Sequence, residues 1–157
     1  MTYLVLASQP YSNRTGQIPM EFLKAYLDIT VFGILGLMGF FALWITIERI
    51  LFFKSLQIES FSHAEHLNIA LTKNLTSLAS IGSNAPYVGL VGTVAGILIT
   101  FYDLGQQQTI DTGSIMTGLA LALKATAAGI GIAIPCIIAY NGLNRRVDVF
   151  NALYRAK

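Results

Sequence analysis

The residues able to do chemistry are few, and most of them do not converge. His63 and His66 lie three apart with Glu65 between them. That is the nearest approach to a metal-ligand set, but no further ligand stands close by, and the segment reads as a polar helix. Cys136 is the sole cysteine, so it forms no internal disulfide, and it reads as a small apolar packing residue. There is no glycine-rich phosphate loop, no nucleophile elbow and no Cys/His constellation. Equipment for covalent catalysis is missing, so the chain reads as something other than an enzyme, with no metal and no cofactor expected.

What the sequence does space regularly is small residues and hydroxyls. Gly89, Thr93, Gly96 and Thr100 follow one another at intervals of four, three and four, and Gly92 with Gly96 makes a GxxxG. Ala122, Thr126, Gly129 and Ala133 repeat the pattern, and Ala125, Gly129 and Ala133 form a small-xxx-small row. Such faces let helix backbones approach closely, so plain packing accounts for most of them. Thr93 and Thr126 are able to satisfy themselves on their own i−4 carbonyls. A second reading of the same faces is the lining of a pore. Lys124 stands alone as an ionisable group in this region. It sits two residues, about 200°, from Thr126, so the two do not share a face. Either a partner carboxylate or watery crevice meets it, or it snorkels to a headgroup.

These residues need elements to hold them, and composition says which. Apolar residues make up 54% of the 157 and charged residues 11%. A soluble domain carries about 25% charged residues. With less than half that share and a mean hydropathy of +0.62, the chain takes the bilayer as its solvent. Three apolar runs follow: Ile29 to Ile47, Pro86 to Tyr102 and Ser114 to Tyr140, the last interrupted only by Lys124. At 1.5 Å rise the first spans roughly 28 Å, close to a hydrocarbon core of about 30 Å. In lipid every backbone group must be bonded internally, and no run alternates as a strand would, so helices are predicted. None of the three runs holds Asp, Glu or His. If protons cross here, another polypeptide brings the carboxylate.

Basic residues orient the spans. Arg14 and Lys24 precede the first. Arg49, Lys54 and Lys73 lie between the first and second, and Arg145, Arg146, Arg155 and Lys157 follow the third. The link 103–113 carries only Asp103 and Asp111. The positive-inside rule puts segment 48–85 and tail 141–157 in the cytoplasm, with 1–28 and 103–113 outside. Lys54, Arg145 and Arg146 are then positioned to hold anionic lipid headgroups. Within 48–85, Ser62 and Glu65 read as a capping box. Leu67, Leu71, Leu75, Leu78 and Ile81 then mark one helix face. The segment is predicted to extend spans one and two below the membrane, the alternative being a helix lying on the inner leaflet. Pro86 fits a first turn, or a kink where a cytoplasmic helix enters span two. In the tail, Pro19 to Tyr26 is expected as a short amphipathic helix. The formal charge of +2 is too small to suggest nucleic acid.

The stretch Ser83 to Phe101, SNAPYVGLVGTVAGILITF, resembles the second-span signature of the MotA/TolQ/ExbB proton-channel family. Leu119 to Asn141, LALALKATAAGIGIAIPCIIAYN, resembles its third-span signature, and Ile47-Glu48-Arg49 fits the inner end of span one. The likeness covers about residues 29–146. The short chain and Asp103-Leu104-Gly105 are more like the ExbB type than the longer TolQ or MotA types.

The resemblance implies a bacterial inner-membrane ring, a pentamer, around a single-span ExbD-like helix whose aspartate carries protons. The assembly would drive a TonB-like protein for uptake across the outer membrane; the alternative is a TolQ-like role energising TolA. It implies that Thr93 and Thr126 face the lumen, with Gly89, Gly96, Thr100, Ala122 and Gly129 on the same pore-lining faces. Pro86 and Gly92 would shape span two, and Pro135 would kink span three. Many family members carry a glutamate in the third span where this chain has Leu121. No proton-handling glutamate is therefore carried over.

Overall fold

The structure, a computed structural model, describes residues 20–56, 63–106 and 112–156. They form four helices: α1 (Met20–Ser55), α2 (Ala64–Thr72), α3 (Leu75–Gln106) and α4 (Thr112–Arg155). No strand occurs among the described residues. The architecture is all-α, and α1, α3 and α4 are each long and apolar enough to cross a membrane. Hydroxyls within the helices bond back to the preceding turn: Thr30 to the Tyr26 carbonyl at 2.8 Å and Thr46 to that of Ala42 at 2.7 Å. That satisfies them without water.

α1 runs on past Ile47 to Ser55, with Lys54 in the last turn, where a cation complements the helix dipole. α3 begins at Leu75, eleven residues before Pro86, so Pro86 stands inside a helix rather than at its start. α1 begins at Met20 and is continuous, so Phe22, Leu23 and Tyr26 belong to α1 and not to a separate helix. All three are exposed. Pro19 and the rest of the tail lie outside the described residues, as do Ser62, Asp111 and Lys157. The N-cap of α2 is His63, with extended backbone and no side-chain cap, so Glu65 falls at the second helical position. A capping box needs it at the third.

The leucine face survives an interruption. α2 stops at Thr72, and Asn74 adopts φ 62°, the left-handed region that asparagine tolerates better than most residues. The Asn74 carbonyl then accepts the Leu78 amide at 3.2 Å, opening α3. Leu67, Leu71, Leu75 and Leu78 are nevertheless all buried, on both sides of the break. They join Phe53, Cys136, Leu143 and Val147 in an inner core built from all four helices. A smaller outer core gathers Val31, Leu35, Ala85, Ala125 and Ala133. Asn151 of α4 donates to Asn68 of α2 at 3.0 Å, which pins the short helix against the last one.

A buried cation ties α1 to the α2–α3 knuckle. The side chain of Arg49 is 3% exposed. It donates to Glu48 at 2.6 Å and to the Ala70 carbonyl at 3.1 Å, and lies 4.8 Å over the Phe52 ring. Asn74 donates to the other Glu48 oxygen at 3.1 Å. One carboxylate thus holds both the arginine and the residue that makes the turn.

Candidate functional site

The regularly spaced small residues of α3 and α4 face each other. A Cβ at Gly89 would stand 2.5 Å from the Ala125 carbonyl oxygen, and one at Gly129 2.5 Å from that of Ala85. At Gly96 the neighbour is Ala122, 3.0 Å away, and at Gly118 it is Thr100, at 2.7 Å. Backbones so close leave no room for side chains, which is why the sequence puts glycine and alanine there. Gly89, Gly92, Gly96, Thr100, Ala122 and Gly129 are all buried in the chain, and each takes part in this seam. Gly92 serves a second contact: a Cβ there would meet Val31 of α1 at 2.7 Å and Ala125 at 2.9 Å. Gly118, outside the spacing pattern read from the sequence, is one α4 turn before Ala122 and extends the seam toward the start of α4.

Two hydroxyls lie across the seam. The Thr93 and Thr126 oxygens are 2.7 Å apart, and Thr93 also lies 2.9 Å from the Ala122 carbonyl and 3.2 Å from that of Gly89. A threonine hydroxyl has one proton and two lone pairs. Thr93 donates to one carbonyl, best to Ala122 by distance, and accepts from Thr126. Its own i−4 carbonyl is the longer contact, so bonding across the helices outweighs the local one. Thr93 is 6% exposed, whereas Thr126 is half-buried at the margin of the seam. Around that margin stand the exposed Leu90, Val94, Leu123 and Ile130.

This arrangement is chemically neutral but not inert. Thr126 can donate to Thr93 and leave its lone pairs for an outside donor. It can equally turn its proton outward while Thr93 donates to it. The pair therefore meets either protonation state of a carboxyl group with a correctly directed hydrogen bond. Among the described residues no group of three or more His, Cys, Asp or Glu could hold a metal ion. His63 and His66 lie ring to ring at 5.7 Å on the exposed face of α2, far from this site in the chain.

The remaining expected residues fall elsewhere. Pro86 and Pro135 are both inside long helices, α3 and α4. A proline there removes one helical hydrogen bond and crowds the preceding turn. Lys54, Arg145 and Arg146 are exposed in the C-terminal parts of α1 and α4. Lys124 is exposed on α4, away from Thr126.

Comparison with known proteins places the sequence in a family. Residues 47–156 match the model of the MotA/TolQ/ExbB proton channel family. The chain is 50% identical over 140 residues to the biopolymer transport protein ExbB of Helicobacter pylori strain J99, covering 89% of this chain and 97% of that protein. It is 50% identical over 128 residues to the ExbB of Aquifex aeolicus, covering 82% and 86%. It is 47% identical over 127 residues to a putative ExbB-like protein of Helicobacter pylori strain 26695, covering 81% and 85%.

Proposed function

The chain belongs to the MotA/TolQ/ExbB proton channel family, and on that premise we propose that it is the ring-forming subunit of an ExbB-like, proton-driven motor in a bacterial inner membrane. Its partners are further copies of itself, five in the ring, a single-span ExbD-like protein and a TonB-like protein. The work done is uptake across the outer membrane. The N-terminus faces the periplasm and the C-terminus the cytoplasm, following the distribution of basic residues. The names of the relatives favour this role over the TolQ-like alternative.

The observation that carries the reading is the hydroxyl pair at the margin of an apolar seam. Thr126 is the contact surface, with Thr93 behind it as a switchable second donor. Gly89, Gly96, Thr100, Ala122 and Gly129 serve by packing the two helices that present it. When the partner carboxyl is protonated it donates to Thr126, and the hydroxyl chain runs on to Thr93 and the Ala122 carbonyl. When it is ionised, Thr126 donates to it. Neither state strands a polar group in lipid, a loss that would cost several kcal/mol. The surrounding Leu90, Val94, Leu123 and Ile130 favour passage of the neutral acid over the anion. The ring itself does not titrate.

The test is Thr126→Val, which keeps the shape and removes the hydroxyl. Gradient-dependent uptake is expected to fall about tenfold, the worth of one hydrogen bond of about 1.4 kcal/mol, while assembly with the partner stays normal. Full uptake with normal assembly would overturn the reading.

A further inference from the structure

Lys124 needs a counter-charge that the motor reading does not supply. It projects from the side of α4 away from Thr126, so an acid travelling past that threonine does not meet it. It is exposed in the outer half of an otherwise apolar span, where an unpaired ammonium is costly. The ion pairs among the described residues are Lys24–Asp103 at 4.0 Å and Arg49–Glu48 at 2.6 Å, and Lys124 belongs to neither. A second exposed charge is likewise without a partner: Asp28 of α1, one turn inward of Lys24.

The helix register brings these two charges to one place. Val31 and Ala125 converge on Gly92, with Val31 at 2.7 Å and Ala125 at 2.9 Å from a Cβ built there. Eight residues further along α1, Gly39 meets Ile132 at 3.6 Å, seven residues beyond Ala125. The two helices therefore run parallel and in register. Asp28 is three residues before Val31 and Lys124 one before Ala125, so their Cα atoms differ in depth by about 3 Å, with Asp28 the more outward. Side chains on both helices lean toward the N-terminus, the outer end of each, and the longer Lys124 reaches further that way than Asp28.

They also share a flank. On α1, Asp28 lies about 60° round from Val31, in line with Gly39 and Thr46. On α4, Lys124 lies about 100° round from Ala125, between Gly131 and Pro135. Gly39, Thr46, Gly131 and Pro135 line a groove of about 270 Å³ between α1 and α4. By helix geometry Asp28 and Lys124 fall on the same two flanks further outward, about 16 Å beyond Gly39 and about 10 Å beyond Gly131. Subunits of a ring meet through different flanks, left against right. Two charges on one flank are therefore placed for each other, not for a neighbour.

We propose that Lys124 and Asp28 form an ion pair within one chain, bridging α1 and α4 outward of their groove and neutralising the one charged residue of span three. The pair fastens α1 to α4 in the membrane's outer half, as Arg49 and Glu48 fasten α1 to the α2–α3 turn at the inner end.

The experiment places Asp28→Cys and Lys124→Cys together, in a Cys136→Ala background, in the full chain expressed with its partners. A short bis-maleimide is applied to membranes. Cross-linking within single chains is expected, seen as a linked peptide pair in the monomer band; cross-linked dimers, or no linkage, would overturn the proposal. A second arm measures the amount of chain in the membrane. Asp28→Lys and Lys124→Asp alone are expected to lower it about threefold or more, and the double exchange to restore it to within about twofold. Single exchanges without effect, or a double exchange that restores nothing, would leave Lys124 as a lysine reaching a lipid headgroup and would overturn the pairing.

Discussion

At the scale of single residues, the decisive chemistry is subtraction. Gly129 exists because the Ala85 carbonyl occupies the space a methyl would take, 2.5 Å from the position of its Cβ. Gly131, two residues along the same helix, has nothing within 4 Å. Gly129→Ala is therefore expected to destabilise the chain by about 1–3 kcal/mol through overpacking against backbone, which cannot step aside. Gly131→Ala should be neutral or slightly stabilising, because alanine is the better helix former. Thermal unfolding in detergent distinguishes the two. The spacing of Gly89, Gly96, Ala122 and Gly129 was enough to read a close-packed face from sequence. It did not say that the two faces meet each other, because a stripe of small residues looks the same whether it meets its own chain or another. Nor did it reveal the proton order of Thr93 and Thr126, which depends on a 2.7 Å contact between residues 33 positions apart.

At the scale of elements, the informative place is the turn between α2 and α3. The leucines from Leu67 to Leu78 announced a single helical face, and that face is real, but the helix breaks within it. Nothing in their periodicity signals a break, since the backbone rejoins with the pattern intact. Asn74 was the available clue: its left-handed conformation and its bond to Glu48 explain why asparagine stands there. Asn74→Gly keeps the conformation and loses the bond, so a loss of about 1 kcal/mol is expected. Asn74→Val is worse by about 1–2 kcal/mol more, because a branched residue resists positive φ. Arg49→Ala removes the cation over Phe52 and the tie to Ala70. It should cost about 1–2 kcal/mol, the loss of two hydrogen bonds from a side chain whose carboxylate partner is itself 39% exposed, and should raise protease access to α2. Limited proteolysis of inside-out vesicles reads both changes. Membrane spans were the most legible elements, since their signal is length and apolarity alone; their ends were less so, because α1 runs on past Ile47 to Ser55 and α3 begins eleven residues before Pro86.

For the whole molecule, the outward faces are apolar over much of their height, with Phe40, Leu43 and Trp44 of α1 and Ile134 and Ile138 of α4 exposed. In the proposed ring, some of these meet lipid and some meet neighbouring copies. Mass measurement of the complex in mild detergent is expected to give a closed ring, and a lone monomer would count against the motor. Reconstituted without its single-span partner, the ring should pass protons no faster than empty vesicles, since its spans carry no acid. Rapid gradient-driven flux from the ring alone would contradict the assignment of the proton carrier to the partner. The inner core has a further consequence, for how the chain is made. Leu67, Leu71 and Leu78 are emitted from the ribosome early, yet the residues that cover them, Leu143 and Val147, come from the far end of α4. Until synthesis has nearly finished, those leucines lack the cover that α4 brings. The nascent subunit is thus at its stickiest late in translation, and a chain stopped just after its third crossing would be fully inserted but still unfinished.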